Sequence, residues 1–199
     1  MLVDVILMIG RIVPSTIVGL WISNIAFGAM TSRKAILEEG FEEGIKEWDT
    51  GMDLPEDPET GMPVNSRASI SNRICRSGYA SLELTIDGRQ GEGTLWVQRY
   101  LELERTGDLL IEISFQLYSE QESFNTIAHV VAFLGMEEPI DKGSFHRIGV
   151  ANRIAGWSPY VLKERVFAEH KGIWIAIGIA VAWETWMTYS IDDVTVYIT

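Results

Sequence analysis

Alternation of apolar and polar side chains is the feature that most limits what this chain can fold into. In "LLIEISFQLY" (residues 109–118) the odd positions from 111 to 117 are apolar, whereas the even positions from 112 to 118 carry Glu, Ser, Gln and Tyr. A period of two is typical of a β-strand with one buried face and one solvated face. The pattern recurs from Lys34 onward between Gly and Pro turn signals, so the sequence predicts an all-β chain.

About eight to ten strands are expected. In "ASLELTID" (80–87) the apolar positions 82, 84 and 86 share one face. Residues 49–66 contain three prolines and two glycines, so we expect a loop there. Short strands separated by turn signals favour a β-sandwich. The other predicted strands are residues 35–43, 94–104, 127–135, 159–167 and 172–183.

The segment "GIWIAIGIAVAW" (172–183) is apolar on both faces and too short to span a membrane as a helix. One face is β-branched, and the other carries Trp174 followed by alanines and Gly178. Two interpretations are open. The segment is either a central strand covered on both sides, or its row of small residues forms a shallow groove.

Residues 1–33 differ from the rest of the chain. Positions 12–32 carry no charge, and basic residues stand on either side, at Arg11 and Arg33. This length is close to that of a membrane span, and it also resembles a signal peptide. We expect an export signal or membrane anchor, followed by one domain over residues 34–199 at the cell surface or outside the cell. A buried segment, a translation start at Met30 and a strand donated to a neighbouring subunit are the alternatives.

The charge balance excludes one class of partner. The chain of 199 residues has a formal net charge of −12, whereas binding to nucleic acid requires Lys and Arg to neutralise phosphates. An acidic surface or a cation-binding protein fits this balance. Cys75 is the single cysteine, so the fold contains no internal disulfide.

Two adjacent acids interrupt the last predicted strand, "YSIDDVTVYIT" (189–199). Aspartate is depleted in strands, and the like charges of Asp192 and Asp193 repel each other. If the first and last strands pair, Glu42 and one of these aspartates could converge on a calcium ion. The alternative is two solvated acidic edges that deter aggregation.

Four segments in order carry a family resemblance: "GFEEGIKEW" (40–48), "RSGYASLEL" (76–84), "DLLIEISFQLY" (108–118) and "YSIDDVTVYI" (189–198). The chain resembles the galactose-binding-like jelly rolls of carbohydrate-binding modules and related archaeal surface domains over residues 34–199. The resemblance implies a jelly-roll β-sandwich with structural Ca²⁺. It also implies Glu42 together with Asp192 or Asp193 as ligands, although Glu38 or Glu39 stands where the family usually has Asn.

Aromatic side chains are the candidates for contact with a glycan, because sugars stack their C–H faces on exposed rings. The sequences "AGWSPY" and "WETW" are plausible loop platforms, and Trp48 and Tyr118 are further candidates. The alternative is that most of these rings are buried in the core. The residues that we favour for ligand binding are Trp157, Tyr160, Trp183 and Trp186.

No sequence motif singles out a catalytic site. The three histidines are far apart, and the sequence contains no nucleophile elbow, phosphate loop or dinucleotide fingerprint. We therefore expect a non-catalytic, calcium-stabilised surface module for binding or adhesion, with a glycan as its partner. The alternative is a filament or tubule subunit that donates its N-terminal segment to a neighbour and is joined by calcium. A polysaccharide-active enzyme is the third hypothesis.

Overall fold

The computed structural model describes residues 35–183 and 185–199, and within these ranges eleven strands form two antiparallel sheets. One turn of 3₁₀-helix covers Lys142–Ser144. The strands are β1 (Ala35–Glu39), β2 (Asp49–Asp53), β3 (Ser66–Ser71), β4 (Ser81–Asp87), β5 (Thr94–Glu102), β6 (Gly107–Ser119), β7 (Ala128–Gly135), β8 (His146–Val150), β9 (Gly156–Ala168), β10 (Gly172–Val181) and β11 (Trp186–Ile198).

The predictions for residues 1–33 lie outside the described residues. An export signal, a membrane anchor and a donated strand therefore all stay predictions, and so does the domain boundary near residue 34. In the part of the chain that the structure describes, no helix has the length and apolar character needed to cross a membrane.

The two sheets have the strand orders β3-β4-β11-β6-β9 and β2-β5-β10-β7-β8, and β1 also pairs with β11. Strand β11 is the centre of the six-stranded sheet. On one side it pairs with β6, and on the other it pairs first with β4, over residues 186–191, and then with β1, over residues 194–197. The first and last strands are therefore neighbours, and the predicted all-β jelly-roll sandwich is confirmed.

The core lies between the sheets and follows the predicted alternation. Along β6, positions 109, 111, 113, 115 and 117 are buried, whereas the even positions from 110 to 118 are half-buried on the other face. Leu82, Leu84 and Ile86 on β4 have no exposed surface. Full burial of such a side chain contributes about 1.5–3 kcal/mol, so this alternation sets the register of both strands.

Strand β10 is covered on both sides, in agreement with the first of the two interpretations. Its β-branched residues lie in the core. On the opposite face Gly178 lies beside Trp96 of β5, where an added Cβ would be 2.7 Å from the Cβ of that tryptophan. On the other side of Trp96, a Cβ on Gly51 would overlap the indole ring. Gly51 therefore makes room for an indole that is almost fully buried, and Gly178 makes room for the backbone of β5.

Residues 136–145 cover this indole, and we call them the strap. They leave the end of β7 and return at β8. The ring of Phe145 lies 4.9 Å from the ring of Trp96, measured between centroids. The Trp96 Nε1–H donates to Gln98 Oε1 at 2.6 Å, and the Gln98 amide in turn donates to the carboxylate of Glu138 in the strap.

The far part of the strap is held at the opposite edge of the five-stranded sheet. The backbone N–H of Lys142 donates to Asp53 Oδ2 of β2 at 2.9 Å. Its ammonium group lies 2.6 Å from Glu92 Oε2. The strap therefore crosses the outer face of the sheet and is fixed at both ends.

Three strands depart from the sequence-based prediction. Strand β2 lies inside the segment 49–66 that we expected to be a loop, and β3 and β8 were not predicted. All three are short edge strands, where little burial is required and the alternation is weak. The predicted strand 35–43 ends early, because Phe41 adopts a positive φ of 61° and turns the chain.

Replacing Gly178 with Ala tests the role of the small residues of β10. We expect a loss of about 1–3 kcal/mol in the free energy of unfolding, because the new methyl group would press against the backbone of β5. Denaturant unfolding followed by tryptophan fluorescence measures it. Gly40→Ala is the control, since its Cβ would meet nothing nearer than 3.8 Å. Equal losses in the two variants would contradict this account.

Candidate functional site

A β-bulge explains how β11 accommodates the two adjacent acids, Asp192 and Asp193. Asp192 is opposite Gln116 of β6 and Thr195 is opposite Ser114, so β11 contains one extra residue between them. Asp193 takes the left-handed conformation that this bulge needs, with φ of 52°. The two carboxylates therefore do not occupy successive positions of a regular strand.

Asp192 is fully buried and is surrounded by backbone donors. Its Oδ2 accepts hydrogen bonds from the N–H groups of Arg76 at 2.8 Å and Ser77 at 3.2 Å. Its Oδ1 accepts from the N–H of Asp193 at 2.7 Å. Burial raises the pKa of Asp192 above its usual value, while these three N–H groups act in the opposite direction.

Asp193 and Glu42 contact the same segment. The Ser77 hydroxyl donates to Asp193 Oδ1 at 2.6 Å. Glu42 Oε1 accepts from the N–H of Tyr79 at 3.0 Å and of Ala80 at 3.3 Å. Residues 76–80, which we call the amide loop, thus donate backbone hydrogen bonds to both Asp192 and Glu42. The space for the Glu42 carboxylate depends on Gly78, because a Cβ there would overlap it.

The arrangement of these acids bears on the predicted calcium ion. Ca²⁺ takes six to eight oxygen ligands. Among the described residues, no group of three or more His, Cys, Asp or Glu side chains comes together in a way that could hold a metal ion. The carboxylate oxygens of Glu42 and Asp192 are instead directed at backbone N–H groups. These side chains do not fit an ion held by Glu42, Asp192 and Asp193, and calcium stays a prediction from the sequence.

The favoured aromatic residues fall into three environments. Tyr160 lies in the core, with 9% of its surface exposed, and its hydroxyl donates to the carbonyl of Val150 at 2.7 Å. This burial argues against the contact with a glycan that we expected of Tyr160. Trp157 is half-buried and packs edge to face on Tyr118, with 5.4 Å between ring centroids. Trp48 is also buried.

Trp183 and Trp186 are the favoured residues that present their rings to solvent. They are 55% and 54% exposed, one in the turn before β11 and the other at its first position. The N–H groups of Ala182 and Trp183 both donate to the carbonyl of Ile127, which ties this turn to the loop between β6 and β7. Phe124 on that loop is fully exposed.

A cleft of about 240 Å³ opens beside Trp186 at this end of the sandwich. Most of its wall is polar, and its apolar members come from the start of β11 and from the loop between β6 and β7. Burial raises the pKa of Tyr189 to about 12, so its phenol stays protonated. The cleft is lined by Ser119, Glu120, Gln121, Ile127, Asn152, Thr185, Trp186, Met187, Thr188 and Tyr189.

Asn152 organises the loops around this cleft. It is 1% exposed. Its Oδ1 accepts from the N–H of Ile127 at 2.9 Å, and its Nδ2 donates to the carbonyls of Asn125 at 2.7 Å and Ser123 at 3.5 Å. The backbone carbonyl of Asn152 also accepts from the N–H of Ser123. The side-chain amide thus uses both its acceptor and its donors on one loop.

The charges near the cleft form a chain of alternating sign. Arg73 lies between Glu120, at 3.1 Å, and Glu83, at 3.6 Å. Arg67 also approaches Glu83, at 3.8 Å. Both arginines are therefore engaged with carboxylates.

Sequence reasoning found the two exposed tryptophans of this site but missed the polar residues. Asn152 follows a short edge strand that was not predicted, so nothing marked it as structurally important. Glu120 and Gln121 directly follow the strong alternation of β6, and their position at a strand end is the signal that could have identified them.

Comparisons with known proteins match this chain through its structure. No protein-family model matches the sequence, and no curated protein matches it. The structure of TmCBM61 in complex with β-1,4-galactotriose has a TM-score of 0.54 and 13% identity, covering 83% of this chain and 99% of that chain. A structure from work on promiscuous carbohydrate-binding modules of the β-sandwich superfamily has a TM-score of 0.52 and 14% identity, covering 79% and 60%.

A third match is the enzymatically active domain of bacteriophage CBA120 tailspike protein 4. It has a TM-score of 0.50 and 12% identity, and the match covers 78% of this chain and 20% of that chain. At such low identities the likeness shows the fold alone. The described part of this chain has the jelly-roll β-sandwich fold that is also found in carbohydrate-binding modules.

Proposed function

We propose that this protein is a non-catalytic glycan-binding module that acts at the cell surface or outside the cell. The observation that carries the proposal is the cleft beside Trp186, where an exposed indole lies next to a polar wall. Sugar sites need a flat apolar surface for the ring and nearby hydrogen-bonding groups for the hydroxyls. The fold shared with carbohydrate-binding modules supports the same proposal.

The cleft is a better candidate than the outer face of the five-stranded sheet. Trp96 lies flat on that face, but the strap buries it under Phe145. A ring that is only 2% exposed offers no surface for a sugar. Trp183 and Trp186 are more than half exposed, so the loop end of the sandwich offers a glycan the aromatic surface that Trp96 does not.

The side chains of the cleft favour binding over hydrolysis. Hydrolysis of a glycosidic bond generally uses two carboxyl groups on either side of the bond. Among the described residues that line the cleft, Glu120 is the one carboxylate. It is also engaged with Arg73, at 3.1 Å.

Trp186→Ala should weaken glycan binding at least about tenfold, because an exposed tryptophan at a binding site commonly contributes more than 1.4 kcal/mol. Isothermal titration of a panel of soluble polysaccharides and their oligosaccharides measures the dissociation constants. The panel includes galactan, xylan and β-glucan.

Trp174→Ala is the matched control for this variant. Trp174 lies near the opposite end of β10 and packs on Tyr100, so its loss should leave glycan affinity unchanged. Melting temperatures of both variants check that each is folded. Wild-type protein that binds none of the panel, or equal affinity of Trp186→Ala and wild type, would refute the proposal.

The contacts of the amide loop predict a fold that does not depend on calcium. EDTA should leave the melting temperature of the full chain unchanged. An ion present at 100 times its dissociation constant would add about 2.7 kcal/mol, or about 5–10 °C for a domain of this size. A fall on chelation that added Ca²⁺ reverses would restore the calcium site predicted from the sequence.

Glu42→Gln complements this measurement. It should cost about 1–3 kcal/mol of stability, because the new amide group would face backbone N–H donors. Glu43→Gln is the control, since that side chain is 90% exposed and should contribute little.

A further inference from the structure

We propose that the cleft selects uncharged sugars and rejects uronic acids and sulfated sugars. This inference rests on the proposed glycan-binding function and adds the chemical class of the ligand. Its basis is the charge distribution around Trp186, which is independent of the aromatic surface that led to the function.

The described lining of the cleft contains one charged side chain, and it is the anionic Glu120. Arg73 lies 3.1 Å from this glutamate and 3.6 Å from Glu83. It is therefore already engaged with two carboxylates. An anionic sugar that entered the cleft would meet Glu120, and no Lys, Arg or His is among the described residues that line it.

A second pocket on the other side of Trp186 leads to the same conclusion. It is lined by Asn65, Ser66, Arg67 and Thr85 together with the indole. Arg67 lies 3.8 Å from Glu83, and its Nε donates to the Ser69 hydroxyl at 3.0 Å. Neutral hydroxyls can bind to these polar groups, whereas a carboxylate would have to compete with Glu83 for the arginine.

The net charge of the chain acts in the same direction. At −12, the field of the whole protein repels an anionic polymer before it reaches the cleft. This long-range repulsion weakens with salt, whereas the local repulsion from Glu120 is screened less. Salt dependence and a local charge reversal therefore separate the two contributions.

The experiment compares neutral galactan, xylan and β-glucan with polygalacturonate, alginate and heparin. The full chain should bind at least one neutral glycan and should bind each anionic glycan at least about tenfold more weakly at low salt. Glu120→Lys should narrow this difference about tenfold, because it replaces the repelling charge with an attractive one.

Glu169→Lys changes the net charge by the same amount but lies after β9, at the end of that strand opposite to the cleft. This variant should keep the difference in affinity between neutral and anionic glycans at moderate salt. Tight binding of an anionic glycan by the wild type would overturn this inference and leave glycan binding intact. Wild type that binds no glycan of either class would overturn the proposed function and this inference together.

A separate set of contacts assigns a positioning role to Asn152. We infer that its side-chain amide holds the loop of residues 120–127 in the shape that forms the cleft. That loop supplies Glu120 and Gln121 to the wall, and three of its backbone groups bind the Asn152 side chain. The loop has no strand or helix of its own, so these hydrogen bonds define its shape.

Asn152→Ala and Asn152→Asp test this role through the amide of Ile127, whose N–H donates to Asn152 Oδ1. In Asn152→Ala, hydrogen exchange at Ile127 should accelerate about tenfold more than global destabilisation explains, and the affinity for neutral glycan should fall. In Asn152→Asp the acceptor remains, but a carboxylate faces the carbonyl of Asn125.

The aspartate variant adds a pH dependence that a purely structural loss would not show. The carboxyl of the aspartate can donate to a carbonyl only when it is protonated. The loss of glycan affinity in Asn152→Asp should therefore lessen as pH falls, whereas the loss in Asn152→Ala should not. Ile177→Val, a core change remote from the loop, controls for global destabilisation. Ile127 exchange that rises equally in Asn152→Ala and this control would overturn the positioning role.

Discussion

The rest of the structure depends on the hydrogen bonds that buried Asp192 accepts. Strand β11 is shared by three others, and the change of partner from β4 to β1 takes place at the bulge that contains this aspartate. A buried carboxylate without donors would be strongly destabilising. The N–H groups of Arg76 and Ser77 satisfy it and at the same time fix the segment that leads into β4. These contacts therefore join the last strand to the segment that leads into the fourth.

Two surfaces of the sandwich differ in how much of them is covered: the outer face of the five-stranded sheet, and the end that carries the start of β11. The outer face of the five-stranded sheet is occupied by the chain's own strap, and the ring of Phe145 lies where a ligand would otherwise approach Trp96. The loops at the start of β11 remain open. They are held together by Asn152 and by the carbonyl of Ile127, so the cleft beside Trp186 is built on hydrogen bonds to the backbone.

Much of the fold follows from the sequence because burial dictates alternation. The core faces of β4 and β6 and the pairing of the terminal strands could all be predicted, since these strands bury one face and expose the other. Strands β2, β3 and β8 could not, because edge strands bury little and β2 carries a glycine that makes room for the indole of a neighbouring strand. The strap could not be predicted either, since the alternation of apolar and polar residues does not indicate a loop that crosses a sheet.

The candidate site was predictable in its aromatic part and not in its polar part. Trp183 lies in the turn between β10 and β11 and Trp186 is the first residue of β11, so both lie near strand ends, where exposure is common. Tyr160 belongs to an alternating strand, and its inward direction depends on a register that only the folded chain reveals. Asn152 acts on residues more than twenty positions away in the chain, which no local pattern encodes. Glu42 and Asp192 do converge on one segment, but their partners are backbone amides.

The strap has a consequence for how such a fold changes over evolutionary time. Connections between strands tolerate insertion and deletion far better than the strands do, because few core contacts depend on them. Shortening this one connection would bare the indole of Trp96 without altering a strand of either sheet. A change in loop length can thus change which surface of such a sandwich is exposed for contacts. The core that stabilises the fold is inherited unchanged.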